Sequence, residues 1–276
     1  MLPPILQLKK REDRRIRQGH PWIYSNEINT DKTPLKSFKP GDEALIMAGE
    51  QVLGRAYVNP HSLIAARLFT RDANIALDSH FIEQRLRAAL ALRERLFAEP
   101  CYRLVYSEAD ELPGLIIDRF YADFVLQFNT AGMDKQREAV IAALQRVFPD
   151  LRSVLLKNDS SIRVQEGLTR QVEAAVGEPP AVGELSENGV KFQFPFMGGQ
   201  KTGWFYDHRM NRARLAAYVT DKKVLDVFSY VGGWGIQAAA FGAAAVECID
   251  ASALACEYVL KNAKLNHLEN KVHVKN

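Results

Sequence analysis

The chain has 276 residues, of which 47% are hydrophobic and 25% are charged, and these proportions exclude a disordered or fibrous protein. No apolar stretch could span a bilayer, and the basic N-terminus lacks a signal-peptide core, so we expect a cytoplasmic protein without membrane contact. Three cysteines without metal-ligand spacing exclude a disulfide framework and predict no metal site. The net charge is +3, but residues 1–76 carry +4 and the rest carry −1, so the basic excess is N-terminal.

This excess is densest in residues 9–17, and the tripeptide His20-Pro21-Trp22 follows. Cationic side chains beside aromatic rings suit a phosphate backbone with bases that can stack. A solvated helix face with internal ion pairs is the alternative. The candidate RNA-binding residues are Lys9, Lys10, Arg14, Arg15, Arg17, His20 and Trp22.

Residues 4–72 predict short strands at 44–47, 52–58 and 63–69, separated by turns. Strands at this spacing are typical of a small barrel. Apolar residues then recur at helical spacing over 78–98, and Pro100 ends the pattern.

A mixed block follows, over about residues 101–195. It predicts strands at 115–118, 124–128 and 154–156, and one amphipathic helix over 134–148. Asn188-Gly189 before an alternating segment predicts a hairpin. The acids Glu108, Asp110 and Asp118 in this block fit turn capping and pairing with Arg119 better than acid–base catalysis.

The last block alternates strands and helices, which is typical of a doubly wound parallel sheet. Strands are predicted at 224–228, 246–249 and 272–274, with an alanine-rich helix ending near Gly242. A second helix runs to about Leu265, with Ser252 as its N-cap.

Glycines after the first of these strands let a ligand approach bare N–H groups at a helix N-terminus. Asp250 ends the next strand, where a carboxylate can accept both hydroxyls of an adenosine ribose. Asp226 ends the first strand and would repel a pyrophosphate, but it suits the cationic amino-acid end of S-adenosylmethionine. The charge at Asp226 therefore favours a methyl donor over a dinucleotide.

The segment Gly199-Gln-Lys-Thr-Gly203, followed by aromatic residues, Asp207-x-Arg-x-x-Arg212 and then Leu225-Asp-x-Phe-Ser-Tyr-x-Gly-Gly233, closely resembles the ribosomal RNA large-subunit methyltransferase I family. Residues 10–28 and 107–119 are similar to further family motifs, in the family order. The resemblance implies an S-adenosylmethionine-dependent enzyme that methylates carbon-5 of a cytosine in 23S ribosomal RNA.

The resemblance implies an α/β multidomain fold with three parts. These are a PUA-like RNA-binding β-barrel at 1–76, a central α+β connector at 77–195 and a Rossmann-like methyltransferase domain at 196–276, of which only the first three strands are expected here. It also implies which residues bind S-adenosylmethionine. They are Gln200, Lys201, Thr202, Gly203, Phe205 and Asp207, which would close over the cofactor; Asp226, Ser229, Tyr230, Gly232 and Gly233, which would cradle it; and Asp250, which would hold the ribose.

Carbon-5 of cytosine becomes nucleophilic only after a thiolate adds to the neighbouring ring carbon. The three cysteines of this chain are expected to be small buried side chains, with Cys101 ahead of a strand, Cys248 within one and Cys256 in a helix. No catalytic residue is therefore assigned within the chain. The resemblance implies a nucleophilic cysteine beyond Asn276, so the chain is expected to be a fragment that alone is inactive and does not bind the cofactor tightly.

Two other functions stay open at this point. One is a non-catalytic RNA-binding protein with a remnant methyltransferase fold, and the other is an NAD-dependent oxidoreductase. The sequence leaves the modified nucleotide and the oligomeric state, including a homodimer, undecided.

Overall fold

A computed structural model of the chain describes residues 3–276. Fifteen strands lie in this part of the chain: β1 (Ile5–Gln7), β2 (Trp22–Tyr24), β3 (Asp42–Ala48), β4 (Gln51–Val58), β5 (Ile64–Thr70), β6 (Cys101–Tyr106), β7 (Leu115–Phe120), β8 (Asp123–Phe128), β9 (Ser153–Asn158), β10 (Gln171–Val176), β11 (Val182–Glu187), β12 (Val190–Pro195), β13 (Lys223–Val227), β14 (Ala245–Ile249) and β15 (Val272–Lys275). The α-helices of the same residues are α1 (Arg14–Arg17), α2 (Ser79–Leu96), α3 (Ala131–Lys135), α4 (Arg137–Val147), α5 (Ser161–Gln165), α6 (Arg209–Ala213), α7 (Gly235–Ala240) and α8 (Ala253–Leu265).

The first five strands form one sheet in the order β1-β3-β4-β5-β2. The three strands predicted from turn spacing are confirmed as β3, β4 and β5, which pair antiparallel. Strand β1 pairs parallel with β3. The alternating apolar residues of these strands form a buried cluster that includes Leu6, Ile23, Ile46 and Val58.

A second five-stranded sheet has the order β10-β9-β8-β7-β6. The helix predicted over 78–98 is confirmed as α2, and the helix predicted over 134–148 is confirmed as α4, except that α4 begins at Arg137 and a short helix, α3, precedes it. The chain there forms α3 and α4, because Gln136 between them donates its N–H to the Met133 carbonyl at 3.0 Å, an i to i−3 bond that interrupts the α-helical pattern. Cys101 begins β6 instead of preceding a strand.

The predicted hairpin is confirmed as β11 and β12, which pair antiparallel. Its two-residue turn puts Asn188 at φ +53° and Gly189 at φ +79°. These are the left-handed conformations that an Asn-Gly turn adopts most readily.

Strands β13, β14 and β15 form a parallel sheet in chain order, as the alternating pattern predicts. The pairing places Asp226 opposite Cys248. Ser252 caps α8, as predicted, since its hydroxyl accepts the Ala255 N–H at 3.3 Å. The parallel register brings the carboxyl ends of β13 and β14 together, where Asp226 and Asp250 lie.

The chain divides into two compact units: residues 1–96, 104–118 and 124–177 form the first, and residues 97–103, 119–123 and 178–276 form the second. The three-domain division stays a prediction. None of the described helices has both the length and the apolar character needed to cross a membrane.

Candidate cofactor site and basic segment

The loop between β13 and α7, residues 228–234, is here called the glycine loop. It starts with Phe228 at φ +62° and passes Tyr230 at φ +49° and Gly232 at φ +82°. Left-handed backbone is a genuine outlier for bulky residues. Phe228 is 89% exposed, so its ring is held away from the core at the carboxyl end of β13.

Asp226 ties the end of β13 to the start of α7. Its carboxylate accepts the Gly235 N–H at 2.8 Å. A Cβ on Gly235 would lie 2.4 Å from Cys248 Sγ and 3.1 Å from Asp226 Oδ2, so only glycine allows this close approach of helix and strand.

The environment of Asp226 disfavours its charge. Burial raises its pKa to about 6; the Gly235 N–H opposes that rise, and the negative charge of Asp250 adds to it. A cation placed near the two carboxylates would relieve this cost, whereas an anion would increase it.

Asp250 holds the glycine loop from the neighbouring strand. Its two oxygens accept the Tyr230 N–H at 2.8 Å and the Ser252 N–H at 2.9 Å. Each carboxylate oxygen has a second lone pair, so both can accept a further donor. The ribose role of Asp250 stays a prediction.

A cavity of about 220 Å³ lies beside the glycine loop in the second unit. Five of the predicted cofactor residues line it: Gln200, Phe205, Ser229, Tyr230 and Gly233. The other seven are not among its lining residues: Lys201, Thr202, Gly203, Asp207, Asp226, Gly232 and Asp250. Trp204, His208, Arg212, Phe228, Val231 and Trp234 complete the wall, and none of these six was predicted.

Two features of the wall fit a bound polar ligand. The Ser229 Oγ is buried and has no hydrogen-bond partner among the described residues, which is costly unless a ligand or water supplies one. Gly233 faces the Trp204 ring, where a Cβ would approach to 3.2 Å. Together with the nearby carboxylates of Asp226 and Asp250, these groups fit a zwitterionic nucleoside such as S-adenosylmethionine.

Residues 199–212, here called the closing segment, contact the glycine loop through Tyr230. The Tyr230 hydroxyl accepts the Gln200 N–H at 3.3 Å, and the Phe205 ring meets the Tyr230 ring edge-on at 5.9 Å. Lys201 Nζ lies 4.8 Å from the centre of the Phe205 ring. Asp207 is exposed, and its carboxylate lies 3.7 Å from His208 Nε2.

A buried carboxylate that the sequence analysis did not identify lies behind the closing segment. Glu187 is fully buried and forms an ion pair with Arg212. The alternation of β11 was the available signal, because it places Glu187 on the same buried face as Gly183 and Leu185.

The three cysteines are free and buried, as predicted. Burial raises the pKa of Cys101, and it raises the pKa of Cys248 to about 12. Cys256 lies within α8, with its sulfur 3.4 Å from the Asp250 carbonyl oxygen. Thiols in such surroundings are poor nucleophiles.

The predicted RNA-binding residues differ in the hydrogen bonds and ion pairs that they form within the chain. Lys10 and Arg14 are exposed. Lys9 Nζ donates to the Asn26 carbonyl at 2.8 Å, Arg15 pairs with Glu27 at 2.6 Å, and Arg17 pairs with Asp13.

Trp22 and His20 are engaged within the first unit. Trp22 Nε1 donates to Glu108 at 2.6 Å, and the Arg67 guanidinium lies 5.2 Å from the centre of its ring. His20 Nδ1 accepts the Trp22 N–H at 3.1 Å. Glu108 pairs with Arg67, and Asp110 pairs with Arg93, so the pairing with Arg119 is wrong for these two acids. The predicted turn capping is confirmed for Asp110, whose carboxylate accepts the Tyr106 N–H at 2.6 Å.

Family models match two parts of the chain. A model for a PUA-like domain matches residues 6–71, and a model for S-adenosylmethionine-dependent methyltransferases matches residues 162–273.

Two bacterial proteins named ribosomal RNA large subunit methyltransferase I are similar along most of the chain. The protein of Klebsiella pneumoniae strain 342 is 38% identical over 273 residues, which are 96% of this chain and 67% of the relative. The protein of Aliivibrio fischeri strain MJ11 is 37% identical, with the same coverage of both chains.

Solved structures share the fold. A Streptococcus mutans protein assigned as an S-adenosylmethionine-dependent methyltransferase has a TM-score of 0.82 at 19% identity, covering 98% of this chain and 70% of its own. A structure of a methyltransferase in complex with S-adenosylhomocysteine gives the same TM-score and identity, with coverage of 99% and 69%.

Proposed function

Because the chain belongs to the ribosomal RNA large subunit methyltransferase I family, we propose that it serves methyl transfer from S-adenosylmethionine to carbon-5 of a cytosine in 23S ribosomal RNA. Family membership confirms the resemblance drawn from the sequence, and S-adenosylmethionine is the cofactor of the matching family model. Ribosomal RNA, which the relatives' name gives as their substrate, is proposed as the substrate of this chain. The choice of carbon-5 of a cytosine is the further step that is proposed here.

The observation that carries the cofactor assignment is the pair of carboxylates at adjacent strand ends beside an unpartnered hydroxyl. Asp226 and Asp250 make the site negatively charged. The buried Ser229 Oγ has no hydrogen-bond partner among the described residues. The cofactor supplies an activated, positively charged methyl donor when bound. Asp226 would attract the cationic end of the cofactor, and Asp250 would accept hydrogen bonds from the ribose hydroxyls. Ser229 would form a hydrogen bond with a polar atom of the amino-acid part.

Asp226 also argues against the oxidoreductase alternative. A nicotinamide dinucleotide carries two phosphates, and a pyrophosphate at this loop would face two carboxylates. Calorimetric titration of the chain with S-adenosylhomocysteine and with NAD tests the choice. We expect S-adenosylhomocysteine to bind and NAD to give no heat. Binding of NAD at equal or higher affinity would overturn the proposal. A chain that binds ribosomal RNA but binds neither S-adenosylhomocysteine nor NAD would favour the non-catalytic alternative.

The RNA would be held by the basic segment of residues 9–17. We propose Lys10 and Arg14 as the main phosphate contacts because they are exposed. Lys9, Arg15 and Arg17 would add positive charge, since exposed ion pairs are weak and screened. Base stacking by Trp22 would require displacement of the Arg67 guanidinium, so His20 and Trp22 are proposed as secondary contacts.

Methylation at carbon-5 needs a thiolate that adds to the adjacent ring carbon. The burial of Cys101, Cys248 and Cys256 supports the proposal that none of them serves this purpose. The 276 residues would then bind cofactor and RNA without completing the transfer, and the nucleophile would come from outside this sequence.

A further inference from the structure

Glu187 collects four hydrogen bonds on a carboxylate that has no exposed surface. Arg212 Nε donates to Oε1 at 2.6 Å, and Arg212 Nη2 donates to Oε2 at 2.9 Å. Trp204 Nε1 donates to Oε2 at 3.0 Å, and Gln237 Nε2 donates to Oε1 at 2.9 Å. A buried carboxylate with four donors is held in a fixed position, because the loss of any one hydrogen bond would leave negative charge uncompensated in the interior.

The donors come from the parts of the second unit that form the cofactor cavity. Trp204 and Arg212 lie in the closing segment and line the cavity. Arg212 Nη2 also donates to the Phe205 carbonyl at 2.9 Å. This bond fixes the backbone of Phe205, whose ring contacts Tyr230. Gln237 lies in α7, the helix that follows the glycine loop.

Two further contacts connect this network to the hairpin and the glycine loop. Asn188, at the hairpin turn, donates to Gln237 Oε1 at 2.8 Å. The Trp204 ring, oriented by its bond to Glu187, closes over the backbone of Gly233. One carboxylate therefore joins the hairpin, the closing segment and α7.

We propose that Glu187 is a positioning residue for the cofactor site, which acts through Arg212 and Trp204 to hold the closing segment against the glycine loop. Glu187 does not line the cavity, so its effect on cofactor affinity is indirect. The proposal rests on the proposed function for the identity of the ligand, but the order of the closing segment is a property of the protein alone.

The test compares Glu187→Gln with the wild-type chain by two measurements. In hydrogen–deuterium exchange, we expect amides of residues 200–208 to exchange at least tenfold faster in the variant, while those of β3–β5 stay unchanged. In titration calorimetry well below the melting temperature, we expect the Kd for S-adenosylhomocysteine to rise at least tenfold. The double variant Glu187→Gln/Arg212→Gln is expected to lose about as much affinity as the larger of the two single changes, and less than their sum, because both residues act as one unit.

Asp110→Asn is the matched control, because Asp110 also accepts two hydrogen bonds from one arginine, Arg93, within the first unit. We expect it to lower the melting temperature while the Kd stays within twofold. Unchanged exchange and affinity in Glu187→Gln, or an equal loss of affinity in Asp110→Asn, would overturn the proposal. If Glu187→Gln does not fold, Gln237→Met removes a single donor and is judged by the same two readouts. A wild-type chain that fails to bind S-adenosylhomocysteine would contradict the proposed function, while the exchange measurement would still decide the role of Glu187.

Discussion

If Asp226 favours the cationic end of the cofactor, as proposed, it couples cofactor binding to pH, because burial raises its pKa to about 6. A cationic ligand needs the ionised form, so affinity for S-adenosylmethionine is expected to be constant above pH 7. It should fall by up to about tenfold per pH unit below pH 6. Titration calorimetry between pH 5 and pH 8 measures this profile. An affinity independent of pH over that range would contradict the assignment of Asp226 to the cationic end.

The same residue has the opposite effect on stability. Its usual pKa is 3.8, so folding favours the protonated form, and the stabilisation from this group is complete below pH 4 and is lost as the pH rises through 6. The loss amounts to about 3 kcal/mol at most. Asp226→Asn is therefore the control for the pH profile. It keeps an acceptor for the Gly235 N–H, and we expect a higher melting temperature at pH 8 together with weaker, pH-independent cofactor binding.

Gly235 sets the distance between α7 and the sheet. Gly235→Ala would push a Cβ against Cys248 Sγ, and overpacking of this kind costs about 1–3 kcal/mol in the free energy of unfolding. Urea denaturation measures the cost. Gly198→Ala is the matched control because a Cβ there meets no atom within 4 Å, and the double variant Gly235→Ala/Cys248→Ala should recover most of the loss. A Gly235→Ala chain as stable as the wild type would show that α7 can shift freely.

At the scale of elements, the cationic residues of the basic segment fall into two groups, those in ion pairs and those that are exposed. Arg15 and Arg17 are engaged by Glu27 and Asp13, whereas Lys10 and Arg14 are exposed. Neutralising both exposed residues in Lys10→Ala/Arg14→Ala should weaken binding of a single-stranded ribosomal RNA fragment. It should also lower the slope of log K against log salt by about 1.4, since each phosphate contact in single strands contributes about 0.7.

Fluorescence anisotropy titrations at several salt concentrations give this slope. Lys32→Ala/Lys36→Ala removes the same charge from exposed positions outside the segment, and its slope should stay near that of the wild type. Equal effects of the two double variants would mean that net charge, and not the basic segment, determines RNA affinity.

At the scale of the whole molecule, elements with a sustained period could be predicted from the sequence, and those fixed by single hydrogen bonds could not. Strands β3–β5, helix α2 and the parallel strands β13–β15 have clear patterns. The break at Gln136 depends on one carbonyl, and α1, with four residues, is too short to show a period. The glycine loop is local in sequence. The alternation of β11 places Glu187 on a buried face, but its partners lie 17 to 50 residues away, and no local pattern identifies them.

If methylation occurs at carbon-5 of a cytosine, as proposed, it depends on a thiolate that can reach the target base. In the presence of S-adenosylmethionine, RNA containing 5-fluorocytidine traps such a thiolate: the thiolate adds to carbon-6 and carbon-5 takes the methyl group. Because carbon-5 then carries fluorine in place of the proton that is normally lost, the elimination that would release the enzyme cannot occur. The three thiols are buried, so we expect no denaturant-stable complex between this chain and a 5-fluorocytidine-substituted 23S fragment, and no transfer of labelled methyl groups. A denaturing gel of the labelled RNA measures the complex. A stable adduct of the 276-residue chain that disappears in Cys101→Ala, Cys248→Ala or Cys256→Ala would identify a nucleophile within the chain, and that cysteine would then have to leave its buried position for the reaction.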